Sequence, residues 1–371
     1  MIPWHFRVLG VLVVIVSSIF CFTSVNHIND AVLVEFVTDV NDCQMRPVCS
    51  SDRLGWHNRF LCKLKTKPMR EDAYTMYAAS RLERVCRART IGQPSLEYIL
   101  ARVKNCVEYD NGPCVLHFAG DNGVGKSSTA EAISLALGVR CGNPACTVGD
   151  TTLRLSGQAY NGLGVGEFRH LIQKSITAHL HKFDRGVIII DEFSSLSQEK
   201  VEVLLPLLGR ADYFPERSDV SLRRAIVLLT SDLGKEGRTR GKMVAEVEAL
   251  ITQEFKEIFK NVSTSFIDVF AFFPISLNVA AEIVASKIKQ FGCDHGIHLD
   301  ISPNAVAYIV EEAKPGVGSE NARAVNNVIQ REVFPNIYGN ITFLKAHPRS
   351  RHTRFMVELI ETPSFVIIQS D

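Results

Sequence analysis

The feature that most constrains this 371-residue chain is the run Gly120-Asp121-Asn122-Gly123-Val124-Gly125-Lys126-Ser127, which fits the spacing G-x-x-x-x-G-K-[ST] in full. A short apolar run, Cys114 to Phe118, precedes it, and a stretch rich in Ala, Glu and Leu follows. Strand, glycine-rich loop and helix in that order form a phosphate cradle. The glycines let the backbone wrap closely, and the N–H groups with the helix N-terminus favour an anion. In this pattern Lys126 reaches the β- and γ-phosphates and Ser127 ligates Mg²⁺. Gly120 through Ser127, with Ser128 beside them, are therefore the candidate nucleotide contacts, and ATP with Mg²⁺ the expected ligands.

A second element completes the pattern. Val187 to Ile190 is an unbroken β-branched run that ends in Asp191-Glu192, as expected of a strand buried on both faces. Two carboxylates at its C-terminal end lie where ligands bind in open parallel sheets. Asp191 is the candidate holder of Mg²⁺, and Glu192 the candidate general base for a water. Val201 to Leu208 reads as a helix and Ala225 to Thr230 as another buried strand. Alternating strands and helices predict an α/β fold with a parallel central sheet.

After Pro274 the pattern turns helical, over Val279–Phe291, Asn304–Glu312 and Asn321–Val333. A smaller, mainly helical unit is expected there. The expected division is a leader over 1–24, a cysteine-containing arm over 25–82 with a helix near Glu71–Val85, a large domain over 83–273, a helical domain over 274–345, and a tail over 346–371 with a strand-like run at Arg354–Ile360.

Composition adds boundaries. Apolar residues make up 46% and charged residues 22%, with a net charge of +1. That is globular usage, and no basic excess points to nucleic acid. His5 and Arg7 precede an apolar run from Val8 to Phe22, the pattern of a cleaved secretory signal or a retained anchor. Ten cysteines, three of them at 43, 49 and 62, suit an oxidising compartment. Cys141 and Cys146 suggest a local disulfide or free thiols more than zinc. Asn261 and Asn340 head N-glycosylation sequons. Together these features point to the secretory lumen.

From Arg89 to Val333 the chain resembles Clp-type AAA+ ATPases, and most nearly the torsins. Ile91-Gly92-Gln93 resembles the motif that opens the family's first helix, and the phosphate loop and acidic strand follow in order. Leu204–Leu208, Tyr213 and Arg217–Arg224 resemble the helix and hairpin that come next. Leu228-Leu229-Thr230-Ser231-Asp232-Leu233-Gly234 resembles sensor 1, and Asn321-Ala322-Arg323 resembles the sensor-2 G-A-R.

The departures matter as well. Asp232 stands where the family usually has Asn, and Phe266 where Clp motors carry the arginine finger, which torsins also lack. Lys126-Ser127 and Arg323 are Clp-like, where torsins have Lys-Asn and Cys-Lys. Tyr160 lies where Clp motors carry the aromatic pore loop that grips substrate.

The resemblance implies ATP hydrolysis coupled to remodelling of proteins or membrane-associated complexes, by a homo- or hetero-oligomeric ring or filament. It implies that Asp232 senses the γ-phosphate and that Arg323 couples the small domain to nucleotide. It also implies a membrane-anchored activator donating an arginine, in the endoplasmic reticulum lumen or nuclear envelope. Two other readings stand beside it: a nucleotide-gated scaffold with little hydrolysis, and an unfoldase of another organelle.

Overall fold

The computed structural model describes residues 81–109, 112–137, 152–234, 241–260, 262, 264–295, 297–346 and 353–370. The leader, most of the arm, Cys43, Cys49, Cys62, Cys141, Cys146 and Asn261 lie outside the described residues. Of the helix expected near Glu71–Val85, residues 81–89 are described and helical.

The large unit is built from α1 (Leu96–Glu108), β1 (Cys114–Gly120), α2 (Lys126–Leu137), β2 (Thr152–Ser156), α3 (Val165–Lys182), β3 (Val187–Asp191), α4 (Gln198–Val203), β4 (Ile226–Ser231), α5 (Val244–Ile258) and β5 (Ile267–Phe272). The strands form one parallel sheet in the order β2-β3-β4-β1-β5. Side chains alternate across each strand, so consecutive residues enter different cores. Val115, Ala119, Ile188, Ile190, Val227 and Leu229 pack with α3 and α5 on one face. Leu116, Phe118, Val187, Ile189, Ile226 and Leu228 pack with α1 and α2 on the other. Burial of each such Val, Leu, Ile or Phe side chain contributes about 1.5–3 kcal/mol, so apolar residues on both faces of β1, β3 and β4 select the centre of a covered sheet.

The helix expected over Val201–Leu208 is shorter: α4 stops at Val203, and a wider turn at Pro206–Arg210 follows. Pro206 begins that turn, and Gly209 at φ 98° ends helical geometry.

The C-terminal unit comprises α6 (Leu277–His295), β6 (His298–Ile301), α7 (Pro303–Glu320), α8 (Ala322–Val328), α9 (Phe334–Ala346), β7 (Arg354–Glu361) and β8 (Ser364–Gln369). The unit is mainly helical, as expected, and the run expected as a tail adds two strands to it. β6 pairs parallel with β7, and β7 antiparallel with β8. Phe355, Val357 and Phe365 share one core with Ile288, Ile309, Val325 and Ile337. Residues expected as a tail thus close the small unit, because β7 carries an apolar face that packs into the core those helices form. α7 also runs through Pro315, where a break was expected, with Ala313 and Val317 buried on the core side.

Cys106 and Cys114 form a disulfide that ties α1 to the start of β1. No helix among the described residues is long and apolar enough to cross a membrane.

Candidate active site

The candidate residues converge at the C-terminal ends of β1, β3 and β4. Gly120 ends β1 at φ 148°, and a Cβ there would lie 2.3 Å from the Phe272 carbonyl oxygen. Only glycine lets the chain leave the strand so close to β5. The loop then turns into α2 at Lys126, directing the helix N-terminus at the space above the sheet.

Lys126 is buried, and its ammonium donates to the carbonyls of Gly120 (2.8 Å) and Asp121 (2.7 Å). It also meets Asp232 Oδ1 at 3.0 Å. Burial lowers its pKa, while Asp232, then Asp121 and Asp191, oppose the shift. Ser127 Oγ donates to Asp191 Oδ1 at 2.8 Å, linking loop to acidic strand. Thr230 on β4 donates to the same Asp191 oxygen, and its hydroxyl accepts the Glu192 N–H at 3.0 Å. Arg154 on β2 donates to Asp191 Oδ2 at 2.8 Å and pairs with Glu131. Burial pushes the Asp191 carboxyl up, but the Thr230, Arg154 and Ser127 hydrogen bonds outweigh it and hold the pKa below its usual value.

Glu192 is exposed and left-handed, at φ 55° and ψ 44°. That conformation costs a non-glycine residue about 1–2 kcal/mol. It is held by the Thr230 contact, by Ser195, whose N–H and hydroxyl both donate to the Glu192 carbonyl, and by close approach of Gly157. A Cβ on Gly157 would lie 2.3 Å from the Glu192 carbonyl oxygen.

Beneath the Thr230–Asp232 segment lies His117, fully buried on β1, with Nε2 2.6 Å from Ser231 Oγ and its ring edge-on to Phe255. Burial, reinforced by Lys126, lowers its pKa to about 3, so the ring is neutral.

The site fits a magnesium nucleotide. Ser127 and Asp191 offer hard oxygen ligands on one point, a buried ammonium stands beside them, and the loop glycines at 123 and 125 have positive φ. Lys126, Ser127, Asp191, Glu192 and Asp232 come together. Val124 is buried, while Asn122 and Ser128 lie along the loop and first helical turn.

Arg323 and Tyr160 are arranged otherwise. Arg323 is exposed on α8, and its side chain makes no hydrogen bond or ion pair with the described residues; only its backbone lies near Gly123. Tyr160 is half-buried in a tight turn at Gln158–Tyr160, its ring edge-on to Phe168 at 5.3 Å rather than projecting freely. Phe266 is exposed ahead of β5 and packs beside Gly209.

Sequence reasoning missed Arg154, Thr230 and His117. Thr230 lay within the sensor-1 run, two residues before Asp232. Arg154 and His117 carry no motif, and only strand pairing brings them in.

The family model for "ATPase family associated with various cellular activities (AAA)" matches residues 116–232. No curated protein matches the sequence significantly. Among solved structures, the chain is similar to Hsp104 in a closed cryo-EM state with ATPγS and FITC-casein, at a TM-score of 0.57 and 16% identity. That match covers 82% of this chain and 53% of the Hsp104 chain, so this chain spans about half its neighbour's length. The chain therefore has the AAA+ fold, with its similarity to the AAA ATPase family carried by residues 116–232.

Proposed function

We propose that the chain is a Mg-ATP hydrolase that couples nucleotide binding and hydrolysis to remodelling of protein substrates. The observation that carries this reading is the meeting of Ser127 Oγ and Asp191 Oδ1 at 2.8 Å beside the buried Lys126 ammonium. Gly120 to Ser128 would hold the phosphates, Lys126 would neutralise their charge, and Ser127 with Asp191 would hold the metal, which would screen the phosphate oxygens. Glu192 accepts a proton from the attacking water. Its backbone is fixed through Thr230, which also touches Asp191, so base and metal ligand share one anchor. Asp232 and Arg323 are assigned to γ-phosphate sensing and to small-domain coupling.

Phe266 at the finger position supports a subunit that turns over slowly alone. A partner's arginine is worth about 10³–10⁵ in rate in such sites. We place the chain in an oligomer, with a membrane-anchored activator, in the endoplasmic reticulum lumen or nuclear envelope. The apolar leader, the Cys106–Cys114 disulfide and the exposed sequon Asn340 support that location. Tyr160 would grip substrate only with its ring lifted from Phe168. A Tyr160→Ala variant that hydrolyses ATP but no longer remodels a model unfoldase substrate would carry that role, and an unaffected variant would remove it.

Phosphate release by wild type and Glu192→Gln tests the central reading, with and without a membrane extract. Hydrolysis that falls at least about 10²-fold in Glu192→Gln, with ATP binding kept, is expected. The Lys126–Asp232 pair favours a second reading, a nucleotide-gated scaffold, in which the two forms release phosphate equally slowly.

A further inference from the structure

Three consecutive carbonyls of the phosphate loop are held from outside the central sheet. Asn122 O accepts from the Asn321 side-chain Nδ2 at 2.9 Å, and Gly123 O accepts from the Ala322 N–H at 3.1 Å. Val124 O accepts from Gln93 Nε2 at 3.0 Å. The first two donors stand at the junction of α7 and α8, in the C-terminal unit. The same side chains also grip the linker between the two units. Asn321 Oδ1 accepts the Ile275 N–H at 3.0 Å, while Gln93 exchanges two hydrogen bonds of 2.9 Å with the Phe273 backbone. Because Ile275 N–H can only donate, the Asn321 amide has one orientation that satisfies both partners.

Asn321 is also a backbone outlier. It lies at φ 52° and ψ −130°, where glycine is the comfortable residue, and it is 1% exposed. The two units are in close contact at this point, for a Cβ on Gly123 would lie 2.0 Å from the Glu320 carbonyl oxygen. A buried amide in a strained conformation persists when its surroundings over-determine it. Here the surroundings are the phosphate loop on one side and the linker on the other.

We propose that Asn321 is the positioning residue through which the C-terminal unit senses the phosphate loop. Its carboxamide locks loop and linker into one body, so that phosphate filling the loop is transmitted to α7 and α8. This inference rests on the loop binding nucleotide, as proposed above. It differs from the role assigned to Arg323, because it acts through the loop's carbonyls and needs no contact with nucleotide.

Two variants of the full-length chain test it. Asn321→Gly relaxes the backbone while removing both side-chain hydrogen bonds. Asn321→Asp keeps the acceptor for Ile275 but sets a carboxylate oxygen against the Asn122 carbonyl. Hydrogen exchange is followed by mass spectrometry with and without Mg-ATPγS. In wild type, nucleotide should slow exchange in the loop and also in α7 and α8. In both variants loop protection should persist, protection of α7 and α8 should be lost, and ATPγS affinity should weaken about tenfold.

A variant that is merely less stable would exchange faster with and without nucleotide, leaving the nucleotide-induced difference intact. That result, or equal transmission in wild type and both variants, overturns the coupling role while leaving nucleotide binding in place. Failure of wild type to bind ATPγS overturns the nucleotide reading itself, and this inference with it.

Discussion

Lys126 Nζ and Asp232 Oδ1 lie 3.0 Å apart, so the ammonium that would meet the phosphates is already paired with a carboxylate. Asp232 is more than a third exposed and Lys126 is buried, so the pair sits at the rim of the site. Incoming phosphate oxygens must compete with Asp232 for the same cation and also face its negative charge. Asp232→Asn removes both penalties. It should tighten ATP binding roughly tenfold, equivalent to ~1.4 kcal/mol, measured by titration with a fluorescent nucleotide. Asp232 also opposes the burial that lowers the Lys126 pKa. The alkaline limb of binding should therefore move to lower pH in the variant. Weaker binding by Asp232→Asn would mean that the acid assists the nucleotide instead.

Arg154 gives the matching prediction at Asp191, the proposed metal ligand. Its guanidinium holds Asp191 Oδ2 at 2.8 Å and is half-exposed, so it is a removable positive charge beside the position assigned to Mg²⁺. Arg154→Ala should raise apparent Mg²⁺ affinity about three- to tenfold, as expected for one unit charge removed near a partly solvated site. Nucleotide binding titrated against Mg²⁺ measures it, and Arg154→Lys should behave as wild type. Reduced Mg²⁺ affinity in Arg154→Ala would assign Arg154 to holding Asp191 in place.

The glycine-rich loop and the acidic strand were legible in sequence because their backbone geometry depends on local spacing. Glycines at 120, 123 and 125 act within one turn, and Val187–Ile190 advertises its own burial. The contacts around Asp191 are of another kind. Arg154 reaches it because β2 pairs with β3 in a register that sets Ser156 against Asp191. Thr230 reaches it because β4 lies on β3's other side. Neither neighbour can be inferred from spacing along the chain. The C-terminal strands were hidden for a related reason: β7 finds its partner β6 across α7, α8 and α9, so its alternating residues read as a tail until the fold supplies the face they cover.

His117 makes acid stability a test of the core. Its folded pKa is about 3 against an ordinary 6.5, so between those values the unfolded chain binds the extra proton and the folded chain does not. The unfolded state then holds more protons, and stability falls as pH drops from about 6.5 toward 3. The slope approaches about 1.4 kcal/mol per pH unit from this residue. Ser231 and Lys126 are its polar neighbours, and Phe193 and Phe255 line the ring. Denaturant unfolding at pH 7, 6, 5 and 4 should show this contribution, and His117→Gln should flatten it. An unchanged slope in His117→Gln would place the acid sensitivity elsewhere.

Gly157 sets where Glu192 sits. Its own dihedrals, φ −56° and ψ −39°, suit any residue, so alanine brings no backbone strain of its own. The added Cβ would instead lie 2.3 Å from the Glu192 carbonyl oxygen and 2.7 Å from Ser195 Oγ. Backbone cannot give way as a side-chain tip can, so Glu192 must shift from its left-handed conformation. Overpacking of this kind costs about 1–3 kcal/mol, which a lowered unfolding midpoint would report. The larger effect should fall on chemistry. Lys126 and Ser127 belong to α2, away from the clash, so ATP affinity should stay within about twofold while hydrolysis drops at least tenfold, since near-ångström displacement of a base is costly. Full hydrolysis by Gly157→Ala would remove Glu192 from the role of base, because no group that must sit at hydrogen-bond distance from water tolerates such a push.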